Sequence, residues 1–82
     1  MSYQEREISR GVLEKYLRVL DSDEGIRMET GHEIVFVNRT SKRYCVEVVN
    51  DGKDEFLYMN ELGELLNFLS SKTGPASRIF LY

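Results

Sequence analysis

Arg43-Tyr44-Cys45-Val46-Glu47-Val48-Val49-Asn50-Asp51-Gly52-Lys53 is the stretch that decides the fold. Residues 44–49 are rich in β-branched and aromatic side chains, form too short a run for a typical helix, and read as a strand. Asp51-Gly52 supplies the two central residues of a type I′ turn, where both positions need positive φ. The chain therefore doubles back. That turn sets Val48 opposite Glu55, Val46 opposite Leu57, Cys45 opposite Tyr58 and Tyr44 opposite Met59.

Upstream, Glu33-Ile34-Val35-Phe36-Val37 has the same strand composition, and Asn38-Arg39-Thr40-Ser41-Lys42-Arg43 is a polar turn cluster. Closing this hairpin between Asn38 and Arg43 sets Val37 opposite Tyr44, Phe36 opposite Cys45, Val35 opposite Val46 and Ile34 opposite Glu47. Ile26-Arg27-Met28-Glu29 alternates apolar and polar residues ahead of Thr30-Gly31, which predicts a short first strand pairing with the second.

Side chains alternate along a strand, so these registers sort every residue onto one of two faces. Face one carries Ile26, Met28, Val35, Val37, Tyr44, Val46, Val48, Leu57 and Met59. It is almost wholly apolar and must be covered. Face two carries Ile34, Phe36, Cys45, Val49, Phe56 and Tyr58, with Arg27 and Glu29 toward one side and Glu47 in the middle.

The flanks supply the cover. Ser2-Tyr3-Gln4-Glu5 has the form of a capping box. Ile8, Val12, Leu13, Tyr16, Leu17, Val19 and Leu20 follow as an apolar stripe at helical spacing, with Gly11 as a weak point inside it. Asp21-Ser22-Asp23-Glu24-Gly25 stops that helix. Its Asp-x-Asp spacing fails the calcium-loop template, because Gly25, Ile26 and His32 stand at the wrong positions. After Met59, Asn60 is a good N-cap, Leu62, Leu65, Leu66 and Leu69 form an inward stripe with Phe68 at its edge, and Thr73-Gly74-Pro75 stops the helix.

The expected fold is a single α+β domain over residues 1–82. It is a two-layer sandwich in which an antiparallel four-stranded meander, in the order α-β-β-β-β-α, carries two helices on face one. The expected elements are a helix over about 3–21, strands over about 25–29, 33–38, 43–50 and 55–59, and a helix over about 61–73. The tail, residues 76–82, turns sharply apolar in Ile79-Phe80-Leu81-Tyr82 and is a candidate short strand that must pack somewhere.

The chain has 82 residues and a formal net charge of −3, with acids and bases mixed, which weighs against a general nucleic-acid binder. Its single cysteine excludes an internal disulfide, and a reducing cytoplasmic location is the simplest expectation. The sequence shows no secretion signal and no apolar run of membrane-spanning length, so no membrane partner is expected. Asn38-Arg39-Thr40 matches a glycosylation sequon by chance in that setting.

No motif assigns a chemistry. Cys45 and His32 are the only nucleophile and base, lie several residues apart along the sheet, and lack flanking signatures. One His and one Cys cannot complete a four-ligand metal site. No catalytic residue, metal or cofactor is therefore expected, and the protein is read as no enzyme.

Two surfaces remain. The aromatic face and the tail (Ile34, Phe36, Glu47, Val49, Phe56, Tyr58, Ile79, Phe80, Leu81 and Tyr82) predict a non-enzymatic protein–protein interaction module. It would be a small regulator or inhibitor acting as a homodimer, on a larger protein, or both. The tail would fill a sheet edge in its own chain or in a second copy. The alternative is a single-stranded RNA or DNA binder. Phe36, Phe56 and Tyr58 would stack bases, and Arg39, Lys42 and Arg43 at the hairpin tip would hold phosphates. An enzyme of unknown type is the third reading.

Overall fold

The computed structural model describes residues 5–40, 42–74 and 77–82. These form an α+β fold: a six-stranded antiparallel sheet with two helices packed on one face. The strands are β1 (Arg6–Ile8), β2 (Gly25–Glu29), β3 (Ile34–Arg39), β4 (Tyr44–Asn50), β5 (Lys53–Met59) and β6 (Arg78–Leu81), in the spatial order β1-β6-β2-β3-β4-β5. A single 3₁₀ turn, Arg10–Val12, leads into α1 (Leu13–Arg18), and α2 is Leu62–Lys72.

The Asp51-Gly52 turn is as its sequence requires, with φ of 50° and 81°. The register it sets between β4 and β5 is the expected one, with Val46 opposite Leu57 and Cys45 opposite Tyr58. The β3–β4 hairpin closes more tightly than expected. Thr40 N–H donates to Arg43 O at 2.8 Å, and the Thr40 hydroxyl donates to the same oxygen at 2.9 Å. Ile34 therefore faces Val49, Phe36 faces Glu47 and Val37 faces Val46. The slip from the expected pairing is two residues. Strand periodicity is two, so every side chain keeps its face.

Face one is the core. Ile26, Met28, Val35, Val37, Tyr44, Val46 and Val48 are buried against Leu13, Leu17 and Leu20 of the α1 region and Leu65 and Leu69 of α2. The buried Tyr44 hydroxyl donates to Leu17 O at 2.9 Å, joining sheet to helix and leaving no unpaired polar atom at that contact.

Several expectations at the flanks are corrected. The helix predicted over about 3–21 begins only at Leu13, and residues 6–8 are a strand. Ser9 is extended (φ −84°, ψ 156°), and Gly11, a poor helix former, lies in the 3₁₀ turn. Pairing of Arg6, Glu7 and Ile8 with β6 satisfies backbone groups that a frayed helix start would leave to water. Val12 and Val19, placed in the apolar stripe, are exposed. Ser2, Tyr3 and Gln4 of the expected capping box lie outside the described residues.

The sheet has six strands where a four-stranded meander was expected, because the tail is a full interior strand. β6 pairs with β2 on one side and β1 on the other. Lastly, Glu61 rather than Asn60 occupies the N-cap of α2, without a side-chain hydrogen bond. The C-terminal end of α2 is better held. The Thr73 hydroxyl donates to Leu69 O, and Arg10 Nη2 donates to Thr73 Oγ1 at 2.9 Å and to Gly74 O at 2.7 Å. A guanidinium at that end also opposes the helix dipole.

Candidate interaction surface

The helices cover face one and leave face two open. Pairing across the sheet arranges the open face in three rows. The middle row reads Glu7, Phe80, Arg27, Phe36, Glu47, Phe56 from β1 to β5. Toward the β3–β4 hairpin the next row is Tyr82, Gly25, Asn38, Cys45, Tyr58. Toward the other end it is Arg78, Glu29, Ile34, Val49, Asp54.

Phe56 and Tyr58 on β5 are 61% and 59% exposed, and Ile34 is 37% exposed. Phe36, Glu47, Val49, Phe80 and Tyr82 are half-buried. Two of the expected surface residues belong elsewhere. Ile79 is fully buried under the helices, and Leu81, of the same parity, packs against the core. Their strand is interior, so alternation sends every second residue inward.

The β1-β6-β2 side of this face is a mosaic of charge and aromatic surface. The Arg27 guanidinium lies 4.6 Å from the Phe80 ring centre and that of Arg78 lies 5.0 Å from it. Arg78 donates to both Glu7 oxygens, from Nε at 3.2 Å and from Nη2 at 3.1 Å. Those bonds hold the Glu7 carboxyl below its usual range, against a smaller opposing effect of burial. Arg27 donates to Glu5, and its Nε lies 3.2 Å from Glu29 Oε2 without hydrogen-bond geometry. Tyr82 is raised above the ordinary phenol range, first by burial and further by Glu47 and Glu5, while Arg27 opposes the rise.

The β4-β5 side is different. Glu47 sits half-buried between Phe36 and Phe56, and among the described residues it has no ion-pair partner. Asp54 likewise has none among them.

The basic hairpin tip does not converge on the aromatics. Arg39 has the parity of Val37, so it turns to the helix side, where its guanidinium lies 4.3 Å from the Tyr44 ring centre. Only Arg43 joins the open face, 5.0 Å from the Tyr58 ring centre, and Lys42 is exposed at the tip. Glu5, Glu7, Glu29, Glu47 and Asp54 outnumber Arg27, Arg43 and Arg78 on that face.

His32 is exposed in the β2–β3 turn, where Thr30 organises the backbone, whereas Cys45 lies near the opposite end of β4 beside Asn38 and Tyr58. The structure does not bring them together. Among the described residues no group of three or more His, Cys, Asp or Glu side chains could hold a metal ion. Among them too, no helix is long and apolar enough to cross a membrane. A shallow acidic hollow lined by Glu5, Ser22, Asp23, Glu24, Asn38 and Tyr82 borders the open face.

Sequence periodicity found Phe36, Glu47, Phe56 and Tyr58. It missed Arg78, Glu7 and Asp54 as members of the same surface. Asp54 was within reach, since it shares the parity of Phe56. Arg78 and Glu7 join the face only through the order of the strands. No family model matches this chain, and no match was found among curated proteins or solved structures.

Proposed function

We propose that this protein is a non-enzymatic interaction module that binds protein surfaces through the open face of its sheet, as a small regulator or inhibitor. The observation that carries the reading is the exposure of Phe56 and Tyr58. Two neighbouring aromatic side chains stand more than half exposed on a sheet face that the chain's own helices and tail leave uncovered. Aromatic residues are enriched in protein interfaces because they remove large rigid apolar areas from water at low entropic cost. The rim of arginines and carboxylates supplies the polar border that such surfaces usually carry.

Single-stranded nucleic acid is the second reading, supported by Arg43 beside Tyr58. The excess of carboxylates on the face and the turning of Arg39 to the other side weigh against it.

The test compares affinity capture by the wild type with capture by Phe56→Ser/Tyr58→Ser, an exposed double change that spares the core. A protein recovered by the wild type and lost by the variant supports the reading. Equal recovery by both removes the open face from the function. Recovery of nucleic acid in place of protein moves the second reading to first.

A further inference from the structure

We infer that the occupant of the open face is a second copy of this chain, docked face to face about a two-fold axis that runs along β3. This rests on the interaction reading above and names its partner. The inference comes from the symmetry of the three rows. A two-fold axis along β3, in the plane between two stacked sheets, exchanges β2 with β4 and β6 with β5. It leaves each row opposite itself.

In the middle row that operation places Arg27 over Glu47 of the partner subunit, and Phe80 over Phe56 of the partner subunit. Phe36 meets its own copy on the axis. Toward the turn end, Arg78 falls over Asp54 of the partner subunit and Ile34 meets Ile34 of the partner subunit. Toward the hairpin end, Tyr82 falls over Tyr58 of the partner subunit. Arg43, the basic residue of the tip on this face, falls toward the acidic hollow of Glu5, Asp23 and Glu24 of the partner subunit.

Every central aromatic therefore meets an aromatic, and both arginines of the β1-β6-β2 side meet a carboxylate that has no cation in its own chain among the described residues. Glu29 falls over Val49 of the partner subunit without a matching charge, and Glu7 on β1 lies beyond the overlap. An axis running across the strands would instead stack Arg27 on Arg27 of the partner subunit and Glu47 on Glu47 of the partner subunit. Like charges so placed disfavour that orientation.

The geometry permits the contact. Stacked sheets align their strands to within about 30°, which displaces positions two strands from the axis by about 5 Å, within the reach of arginine and tyrosine side chains. The overlap runs over the five strands from β6 to β5, roughly 19 Å across, and about 17 Å along five residues. Accessible surface over protruding side chains exceeds that projection, so the total buried is on the order of 1,000 Å², the size of a small specific interface. Buried area alone does not set affinity, but a contact at the low end of the specific size range is expected to be reversible, half-dissociating on the order of 10 µM.

The experiment is sedimentation velocity on the whole chain across a concentration series. The proteins are wild type, Glu47→Arg, Arg27→Glu and an equimolar mixture of the two variants, each checked for a cooperative thermal transition. Each reversal alone places like charges together twice per dimer and should weaken self-association about 100-fold. The mixture should restore the dimer, because each new side chain then faces one of opposite sign. Arg27 also touches Glu5 and Glu29, so the exposed pair Asp54→Arg and Arg78→Asp serves as the second complementation set if Arg27→Glu fails to fold. A wild type that stays monomeric at about 500 µM, well above the expected midpoint, overturns the inference. So does a Glu47→Arg protein that dimerises like wild type, or a folded pair that fails to complement. A monomeric wild type that still captures a protein through Phe56 and Tyr58 rejects self-association and leaves the interaction reading standing.

Discussion

The Tyr82 ring packs against the backbone of Gly25. A Cβ added to Gly25 would lie 2.6 Å from the ring's Cζ and hydroxyl, and 2.8 Å from Asn38 Oδ1. Gly25 and Tyr82 also exchange backbone hydrogen bonds, at 2.9 and 3.0 Å, which continue the β2–β6 ladder past its last paired strand residues. Glycine is needed here for close approach rather than for its backbone freedom. The ring fills the space above a strand position that has no side chain of its own.

Gly25→Ala is expected to dislodge the ring rather than break the sheet. The atoms in the way are the ends of two side chains, which can swing aside. The variant should therefore fold with a loss of about 1 kcal/mol. Its Tyr82 should titrate nearer the ordinary phenol value, because burial is the main cause of the shift. Ultraviolet titration of the wild type and Gly25→Ala, with Tyr82→Phe to assign the signal, checks this. An unchanged Tyr82 titration would mean that the ring does not depend on Gly25.

Tyr82 also sets a direction for alkaline stability. Its folded pKa lies above its unfolded value of about 10. Below the unfolded value its contribution is fully present. As pH rises past that value the unfolded chain loses the proton first, so stability falls until the folded value is passed. Tyr82→Phe should show a shallower alkaline loss than wild type when melting temperatures are compared between about pH 9 and 11. Equal slopes would place the titration elsewhere.

Arg10 holds the end of α2 from 63 residues away in the sequence. Arg10→Met keeps the aliphatic stem and removes the bonds to Thr73 and Gly74. It should cost about 1–2 kcal/mol in urea unfolding, the range for lost bonds to a charged group at a helix end. Thr73→Val, which removes the buried hydroxyl that bonds Leu69, should cost about 1 kcal/mol. The two losses should not add, because the residues share a bond. Strict additivity would show that Arg10 acts through Gly74 alone.

Deleting residues 78–82 should abolish cooperative folding. β6 lies between β1 and β2, so its removal strips β1 of the strand it pairs with among the described residues, exposes the paired edge of β2 and takes the buried Ile79 from the core. Val46→Ala should be milder, at about 1–3 kcal/mol, for a residue 1% exposed between Val37 and Leu57. Circular dichroism melts of both proteins decide this. A truncated chain with a near-native melt would show that the sheet is complete without its tail.

The alternation of residues 34–37 and 44–49 and the Asp51-Gly52 turn determined which side chains belong to the core and which to the open face. That partition survived a register two residues from the expected one, because parity is all it depends on. The leucine spacing of α2 was equally local, and equally legible. Tertiary structure alone decided that Arg6–Ile8 is a strand and that the tail is an interior one. Each is stabilised by hydrogen bonds to a segment some seventy residues distant, and local periodicity carries no information about such a partner. The same non-local pairing brings Glu7, Arg78 and Phe80 beside Arg27. It thereby gives the open face the order of charges and aromatics on which the proposed interaction rests.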